Sequence, residues 1–325
     1  MSASSASQTF QTLAQNLVRE HWDFYPTAGS RIGQHEYDGL LPELSPGGLR
    51  RRVGALRRGM VQLSAVDHHS LGPNERLSYQ TLQLFLKRQL FTLTELRPLE
   101  NNPMQQVGYL NVSGYVRRDY APLADRLRSV TKALLQVPDF MEVLDLALAP
   151  DLGRPILEMS VESYSGMARF YRRDLAKAAA GFSDGAVLAE FDRARETAAL
   201  ALDRFVAGLR ARRGWAPDGF AIGSQLFTSM LANGEAVEAS LSELEALGLA
   251  DLEHNLERVT ELAASISPGR SVGEIVADIG RRHPDPDALV PTTRDMLESL
   301  RQALIDLDLV TVPSEDRCRV METPS

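Results

Sequence analysis

Apolar residues recur every three or four positions through most of this chain, and that period is typical of α-helices. A first amphipathic helix runs to about Trp22, with Phe10, Leu13 and Leu17 on one face. Further helices are predicted at about 46–63, 74–96, 123–137, 140–148, 156–175, 187–209, 224–233, 241–247, 252–262, 272–282 and 286–308. The sequence therefore predicts a mainly α protein, built as an irregular multi-helix bundle.

The longest interruption of the helical pattern lies near the amino terminus. Prolines and glycines are too dense in residues 23–48 for a regular helix, so we expect a long loop there. Its densest polar and aromatic cluster is His35, Glu36, Tyr37 and Asp38, which are candidates for lining a substrate cleft because ordered loops often carry binding residues. The alternative is structural, with these side chains satisfying the loop's own backbone and Asp38 preceding a glycine turn.

The period changes only at the end of the chain. Residues 309–312 are strand formers, 313–316 form a turn, and 317–321 alternate polar and apolar side chains, which predicts a short carboxyl-terminal β-hairpin or strand pair. An isolated hairpin is marginal in water and exposes unpaired backbone groups. We therefore expect the final strands to pair with another segment or another chain.

The pattern divides the chain into two parts. Residues 1–218 are predicted to form a helical scaffold domain that includes the long loop 23–48. Residues 219–325 are predicted to continue in helices and to end in the strands. With 325 residues, the chain is long enough for one large domain or two coupled ones.

Composition narrows the function classes. A net charge of −8 has the wrong sign for a protein that binds phosphate backbones, so nucleic acid is not an expected partner. No apolar run is long enough to cross a bilayer and the start lacks a signal-peptide pattern, so we expect no membrane partner and a cytoplasmic location. Cys318 is the single cysteine and is interpreted as a half-buried strand residue.

Candidate catalytic motifs are few. His35 and Glu36 begin like the zinc-peptidase signature HExxH, but Gly39 stands where the second histidine would be. Glu158 and Glu162 are one helical turn apart, a spacing that suits an acid/base pair but is more often found in solvated charges. The sequence contains no phosphate-binding glycine loop, GxSxG elbow or CxxC pair, and therefore predicts no cofactor or metal site within this chain.

A series of segments resembles a known bacterial family. In chain order they are IGQHEYDGLLPELSP, NERLSYQTLQLFLKRQL, RRDYAPLADRL, FAIGSQLF, LSELEALGLADL, SVGEIVADIGRRHPDPDAL, DLVTVP and VMETP. Their order is similar to that in the domain-of-unknown-function 885 family, and the resemblance implies a helical metallopeptidase of the zincin type. In that family a later His-Glu-x-x-Pro-Gly-His-His motif would supply the zinc ligands and the general base, and no position here matches it.

The resemblance implies a specific role for this chain. It corresponds to the amino-terminal helical portion of a zinc metallopeptidase, without catalytic residues, and residues 219–325 would begin a truncated catalytic domain. Ser325 stands where a proline or a large apolar residue is expected after METP. Zinc and a peptide substrate are expected only in full-length relatives, and the partner would be a complementing carboxyl-terminal chain or a second copy paired through the final strands. The alternative is a helical interaction module without enzymatic activity.

Overall fold

The chain forms two compact units, Met1–Ala239 and Ser240–Ser325. In a computed structural model, residues 3–321 are described. The predicted division at residues 218 and 219 lies earlier, in an irregular segment of the first unit, and the assignment of residues 219–325 to a catalytic domain stays a prediction. Glu322–Ser325, which complete the METP segment and include Ser325, lie outside the described residues.

The first unit consists of helices joined by short turns. Its α-helices are α1 (Ala3–Phe24), α2 (Pro26–Arg31), α3 (Pro46–Ser64), α4 (Pro73–Phe91), α5 (Pro98–Asn101), α6 (Ser113–Arg117), α7 (Leu123–Ala147), α8 (Arg154–Ala178), α9 (Gly185–Arg212) and α10 (Ser224–Glu235). The 3-10 turns are His35–Tyr37, His68–Ser70, Pro103–Leu110 and Arg213–Trp215, and a π-helical turn, Thr92–Leu96, extends α4.

Three long helices, α7, α8 and α9, enclose the main hydrophobic core of the first unit. Their fully buried side chains include Leu127, Leu134, Leu144, Tyr164, Tyr171, Phe191 and Leu202. The two tyrosine hydroxyls donate hydrogen bonds of 2.7 Å to the carbonyl oxygens of Pro103 and Leu110. Because a buried hydroxyl without a partner is costly, these bonds fix the 3-10 segment 103–110 on the core.

A second hydrophobic cluster holds α1, α3 and α4 together. It is formed by Phe10, Leu17, Leu56, Leu63, Tyr79, Leu82 and Leu86 with smaller neighbours. Beside it lies the buried guanidinium of Arg52, which bonds to the Glu20 carbonyl oxygen at 3.3 Å and to His21 Nδ1 at 3.2 Å, and which lies over the rings of Phe24 and Tyr25. The Arg52 cation is buried against the imidazole of His21 and two aromatic faces. A positive charge on His21 would repel it, so this environment favours the neutral imidazole.

The second unit contains α11 (Leu241–Ile266), α12 (Val272–Gly280), the 3-10 turn Pro286–Ala288 and α13 (Leu289–Asp306). Ser240 and Ser271 form capping boxes with Glu243 and Glu274 at the starts of α11 and α12. Among the described residues of this unit only Ala263 and Ile275 are buried. Large apolar side chains are exposed along all three helices, so the unit has little hydrophobic core of its own.

The predicted β-hairpin is wrong. The structure describes no strand between residues 3 and 321, and residues 307–321 are irregular. Instead, Arg317 Nε donates a hydrogen bond of 2.7 Å to Glu298 of α13, and Arg301 and Arg294 of the same helix donate to the carbonyl oxygens of Ser314 and Val320. Strand-forming residues need a partner strand, and Leu309 and Val310 remain exposed without one.

Four further local predictions need correction. The loop 23–48 is partly helical, since it contains α2, the turn His35–Tyr37 and the start of α3. Pro138 lies inside α7 and Gly248 inside α11, although both positions were predicted to end helices. Helix α7 continues through Pro138 and packs on α9, and tertiary packing can outweigh a local helix-breaking preference. Cys318 is exposed in the irregular terminal segment and is not a half-buried strand residue.

The helices were also compared with the length and apolar character of a membrane-spanning helix. Among residues 3–321, no helix combines the length and the apolar character needed to cross a bilayer.

The contact between His21 and Arg52 should make the free energy of unfolding depend on pH. Burial and the nearby Arg52 charge lower the pKa of His21 from 6.5 to about 4. The folded state therefore holds His21 neutral, and its contribution to stability is complete above pH 6.5 and is lost as the pH falls towards 4. Between pH 7 and pH 4, we expect the free energy of unfolding to fall by about 2–3 kcal/mol more in the wild type than in His21→Gln.

Urea unfolding at both pH values, followed by intrinsic fluorescence, measures this difference. His254→Gln is the matched control, because His254 is exposed in the second unit and should leave the wild-type pH dependence unchanged. Equal pH dependence of the wild type and His21→Gln would show that the contact does not control stability.

Candidate functional site

A cavity of about 500 Å³ lies in the first unit, where the segment after α2 faces the segment around α6. Its lining combines charged, hydroxyl-bearing and apolar side chains from both segments and from α7. Its polar side chains include Ser30, Arg31, His35, Asp38, Arg118 and the two tyrosines Tyr115 and Tyr120. A cavity of this volume is in the range of small-molecule sites.

The Asp38 carboxylate is the centre of a hydrogen-bond network at this cavity. Its Oδ2 accepts from the Tyr120 hydroxyl at 2.7 Å and lies 3.1 Å from His35 Nδ1. Its Oδ1 accepts from the Ser30 hydroxyl at 2.5 Å, and Ser30 in turn lies 3.1 Å from the Tyr115 hydroxyl. The Asp38 side chain is only 9% exposed, whereas that of His35 is 48% exposed. The network joins residues about 80 positions apart in sequence.

His35 is held by two contacts at once. Its imidazole ring stacks on the Tyr120 ring with 4.1 Å between centroids and an interplanar angle of 3°. With Nδ1 directed to Asp38, the other ring nitrogen, Nε2, has no bonding partner among residues 3–321. Carboxylate and stacking contacts therefore fix the ring and leave one polar atom for a ligand.

The backbone on the Asp38 side of the cavity is fixed by close packing. Gly39 has a positive φ of 73°, and a Cβ there would lie 2.6 Å from the Ser129 carbonyl oxygen of α7. Its carbonyl oxygen accepts from Gln136 Nε2 at 2.7 Å, and its amide donates to the Tyr115 hydroxyl at 3.0 Å. Only glycine fits this left-handed position and this close approach.

The opposite wall is fixed by a buried arginine of α7. Arg126 donates to the carbonyl oxygens of Ala121 and Tyr115, at 2.8 and 3.1 Å, and pairs with the Asp119 carboxylate at 2.8 Å. These three bonds hold the chain on both sides of Tyr120. The network is therefore anchored to α7 from both directions.

Burial, and next the hydrogen bond to Asp38, raise the pKa of the Tyr120 hydroxyl. Burial, with a hydrogen bond to Asp23, likewise raises the pKa of Tyr37 to about 12. Both hydroxyls consequently remain protonated donors at neutral pH. Tyr120 acts as a neutral donor to Asp38, which leaves that carboxylate as the only formal negative charge of the network.

The four residues of the predicted loop cluster occupy different environments. His35 and Asp38 line the cavity. Tyr37 is buried, donates to Asp23 Oδ1 at 2.7 Å and packs so closely on Gly29 that a Cβ there would lie 2.6 Å from its ring. Glu36 is exposed on the outer side of the turn. Their role in lining a substrate cleft stays a prediction, and for Tyr37 the structural alternative describes the contacts better.

Sequence reasoning missed most of the cavity. The residues not proposed as site residues are Ser30, Arg31, Tyr115, Arg118 and Tyr120. Two of them, Arg118 and Tyr120, lie within the RRDYAPLADRL segment that carries part of the family resemblance. That segment was a usable signal, because it places two cations and an aromatic hydroxyl on an irregular stretch. The sequence contained no indication that it meets the loop at His35.

The order of the hydrogen bonds among Ser30, Asp38 and His35 differs from that of a catalytic triad. Asp38 lies between the serine and the histidine, so the histidine cannot accept the Ser30 proton as it does in a Ser–His–Asp triad. The arrangement suits ligand binding, with fixed donors, an oriented imidazole and apolar walls.

The zinc ion implied by the family resemblance does not fit the residues described. Nowhere in 3–321 do three or more His, Cys, Asp or Glu side chains come together as a metal site would require. At the cavity, His35 and Asp38 bond to each other and bring no third ligand of these types.

The Glu158 and Glu162 pair also has an ordinary surface role. Glu158 forms an ion pair of 2.6 Å with Arg213, and both carboxylates are exposed on α8. Exposed carboxylates of this kind are typical of solvated surface charges.

The fold and the site define an all-α helical protein with a preformed polar pocket. The chain matches the model of a family described as bacterial protein of unknown function (DUF885) over residues 26–325. The chain belongs to this family. No curated protein matches it.

A solved structure shares the fold. It is described as "a putative lipoprotein of unknown function from Shewanella oneidensis", and it is 20% identical to this chain with a TM-score of 0.74. The match covers 97% of this chain and 60% of the other, so the chain spans about 60% of that relative's length. At this identity the likeness shows the fold alone.

The Asp38 network gives a stability prediction with a control in the same turn. Asp38→Asn keeps the shape but replaces one acceptor oxygen by an amide donor, which leaves the Ser30 or Tyr120 hydroxyl without its acceptor. We expect the free energy of unfolding to fall by about 2–3 kcal/mol, as for a buried hydrogen bond to a charged group. Chemical denaturation measures it.

Glu36→Gln is the matched control, since Glu36 is a neighbouring carboxylate with an exposed side chain. We expect it to change the free energy of unfolding by less than about 0.5 kcal/mol. Equal effects of the two substitutions would contradict a special role for Asp38.

Proposed function

We propose that this chain is the helical, substrate-receiving portion of a zinc metallopeptidase-type protein and does not catalyse hydrolysis by itself. The family membership and the zincin resemblance of the quoted segments support the class. In this proposal, the zinc ligands and the general base belong to a further portion of the fold. The match covers 60% of the solved relative's chain, so that relative contains residues beyond the matched portion. The cytoplasmic location stays a prediction.

The observation that carries the substrate-receiving role is the pocket around Asp38. The contacts of Asp38 with Ser30, His35 and Tyr120 fix three polar side chains at this cavity. They orient the His35 ring and leave its Nε2 without a bonding partner among residues 3–321. Preorganised polar groups on apolar walls are what a binding site requires.

The exposed face of α11 supports the existence of a packing partner. Its apolar residues Leu249, Leu252, Leu256 and Val259 are spaced by three and four positions, and all are exposed. Such a stripe normally faces a core, and each large apolar side chain gains about 1.5–3 kcal/mol on full burial. We propose that the stripe packs against the catalytic portion, supplied by a complementing carboxyl-terminal chain. The other predicted mode, self-association through terminal strands, has no strand to use in residues 3–321.

Reconstitution tests the proposed function. Coexpression of this chain with the carboxyl-terminal portion of a full-length family member should give a complex with zinc-dependent peptide hydrolysis, and the chain alone should give none. Metal analysis and a peptidase assay on both preparations measure this. Stoichiometric zinc in the chain alone, together with zinc-dependent turnover, would overturn the proposal.

Two double substitutions on α11 test the proposed partner surface. Leu252→Asp with Leu256→Asp should abolish copurification of the two portions, because two charges would then be buried in an apolar contact. Glu253→Gln with Glu257→Gln is the matched control on the same helix and should leave it intact. Loss of copurification in both pairs, or in neither, would contradict the assignment of the stripe.

The same stripe favours a second candidate, a helical interaction module without enzymatic activity. This candidate predicts that the α11 variants disrupt a complex in which no hydrolysis occurs. The peptidase assay on the reconstituted complex distinguishes the two functions.

A further inference from the structure

The pocket around Asp38 contains two cationic groups without an anionic partner. Arg31 and Arg118 both line it, and neither forms an ion pair with a carboxylate of residues 3–321. Arg118 donates one hydrogen bond of 3.1 Å to the Arg31 carbonyl oxygen, and Arg31 donates one to the carbonyl oxygen of Gly108. Each guanidinium has five N–H donors, so most of them remain for a ligand.

The negative charge at the cavity, the Asp38 carboxylate, already has hydrogen-bonding partners within the protein. Asp38 bonds to Ser30, Tyr120 and His35, and its side chain is only 9% exposed. It therefore neutralises neither arginine directly. With His35 neutral, the lining carries a net charge of +1, from two arginines and one aspartate. The pocket is positive in a protein whose net charge is −8.

Apolar side chains form much of the remaining wall. Ile32, Leu40, Leu41 and Val112 line the same cavity, together with the Tyr109 ring. A volume of about 500 Å³ accommodates a ligand with several carbon atoms beyond its charged group. The lining thus combines cationic donors with a hydrophobic surface.

We propose that this pocket binds a carboxylate attached to an apolar group, with Arg31 and Arg118 receiving the carboxylate and the apolar wall receiving the rest. Planar guanidinium groups match the two oxygens of a carboxylate, which makes arginine the preferred residue for such ligands. His35 Nε2 provides a further polar contact. The chemistry is shared by a free organic acid and by the carboxyl-terminal residue of a peptide.

The inference names the ligand class of the pocket and rests on the proposed function only for the use of this pocket as a binding site. It requires neither zinc nor the complementing portion. Its test therefore uses the chain alone, and its failure is distinguishable from a failure of reconstitution.

Ligand-observed NMR titration with three probes tests the charge requirement. N-acetyl-leucine carries the free carboxylate, N-acetyl-leucine amide lacks it, and the peptide acetyl-Ala-Ala-Ala-Leu presents the same end on a longer chain. We expect the free acid to bind at least about tenfold more tightly than the amide, since a charge-assisted hydrogen bond is lost with the carboxylate. Binding should also weaken as the salt concentration rises.

The peptide distinguishes the two sources of the carboxylate. Binding of the peptide as tightly as the free acid supports recognition of peptide ends, and binding of the free acid alone supports a small organic acid. Equal binding of acid and amide, or no binding of either carboxylate probe, overturns the proposal.

Variants locate the site. Arg118→Gln should weaken binding of the carboxylate probe at least about tenfold, and Arg118→Lys, which keeps the charge, should weaken it less. Arg117→Gln is the matched control, because Arg117 is the adjacent exposed arginine and does not line the cavity. Thermal unfolding monitored by circular dichroism checks that each variant is folded. Equal effects of the 117 and 118 substitutions, or none at 118, overturn the location.

Discussion

The pocket of this protein depends on one buried carboxylate. Asp38 accepts hydrogen bonds from two segments that are far apart in sequence, the end of α2 and the chain after α6, and it also fixes the His35 ring. A carboxylate in this environment is stable only while its neighbours donate to it, because an unpaired buried charge is costly. The same network that binds the loop to the bundle therefore also shapes the cavity.

The supporting bonds come from the core helix α7. Arg126 holds the Tyr115 to Ala121 segment, and Gln136 holds the backbone at Gly39, so both walls of the cavity are attached to one rigid helix. Helix α7 is in turn fixed by its packing on α9 in the main core. Polar groups at the cavity are thus kept at defined positions by bonds within the protein. Preorganised groups of this kind lower the cost of binding a ligand.

The two units differ in how they use their apolar residues. The first unit buries large side chains in two clusters, whereas the second leaves the stripe on α11 exposed. A helix with such a face gains most of its stability from packing. We propose the stripe as a surface for a polypeptide partner and the pocket as a site for a ligand carboxylate.

The sequence by itself determined the mainly helical fold and the family, because helical periodicity and motif order are local properties of the chain. It also placed His35 and Asp38 in one candidate cluster. Only the tertiary structure decided that Pro138 and Gly248 do not end helices, that residues 309–321 form no strand, that Tyr120 and Ser30 bond to Asp38, and that Arg31 and Arg118 line the same cavity. These outcomes depend on contacts between residues distant in the chain, and such contacts leave no local pattern to read.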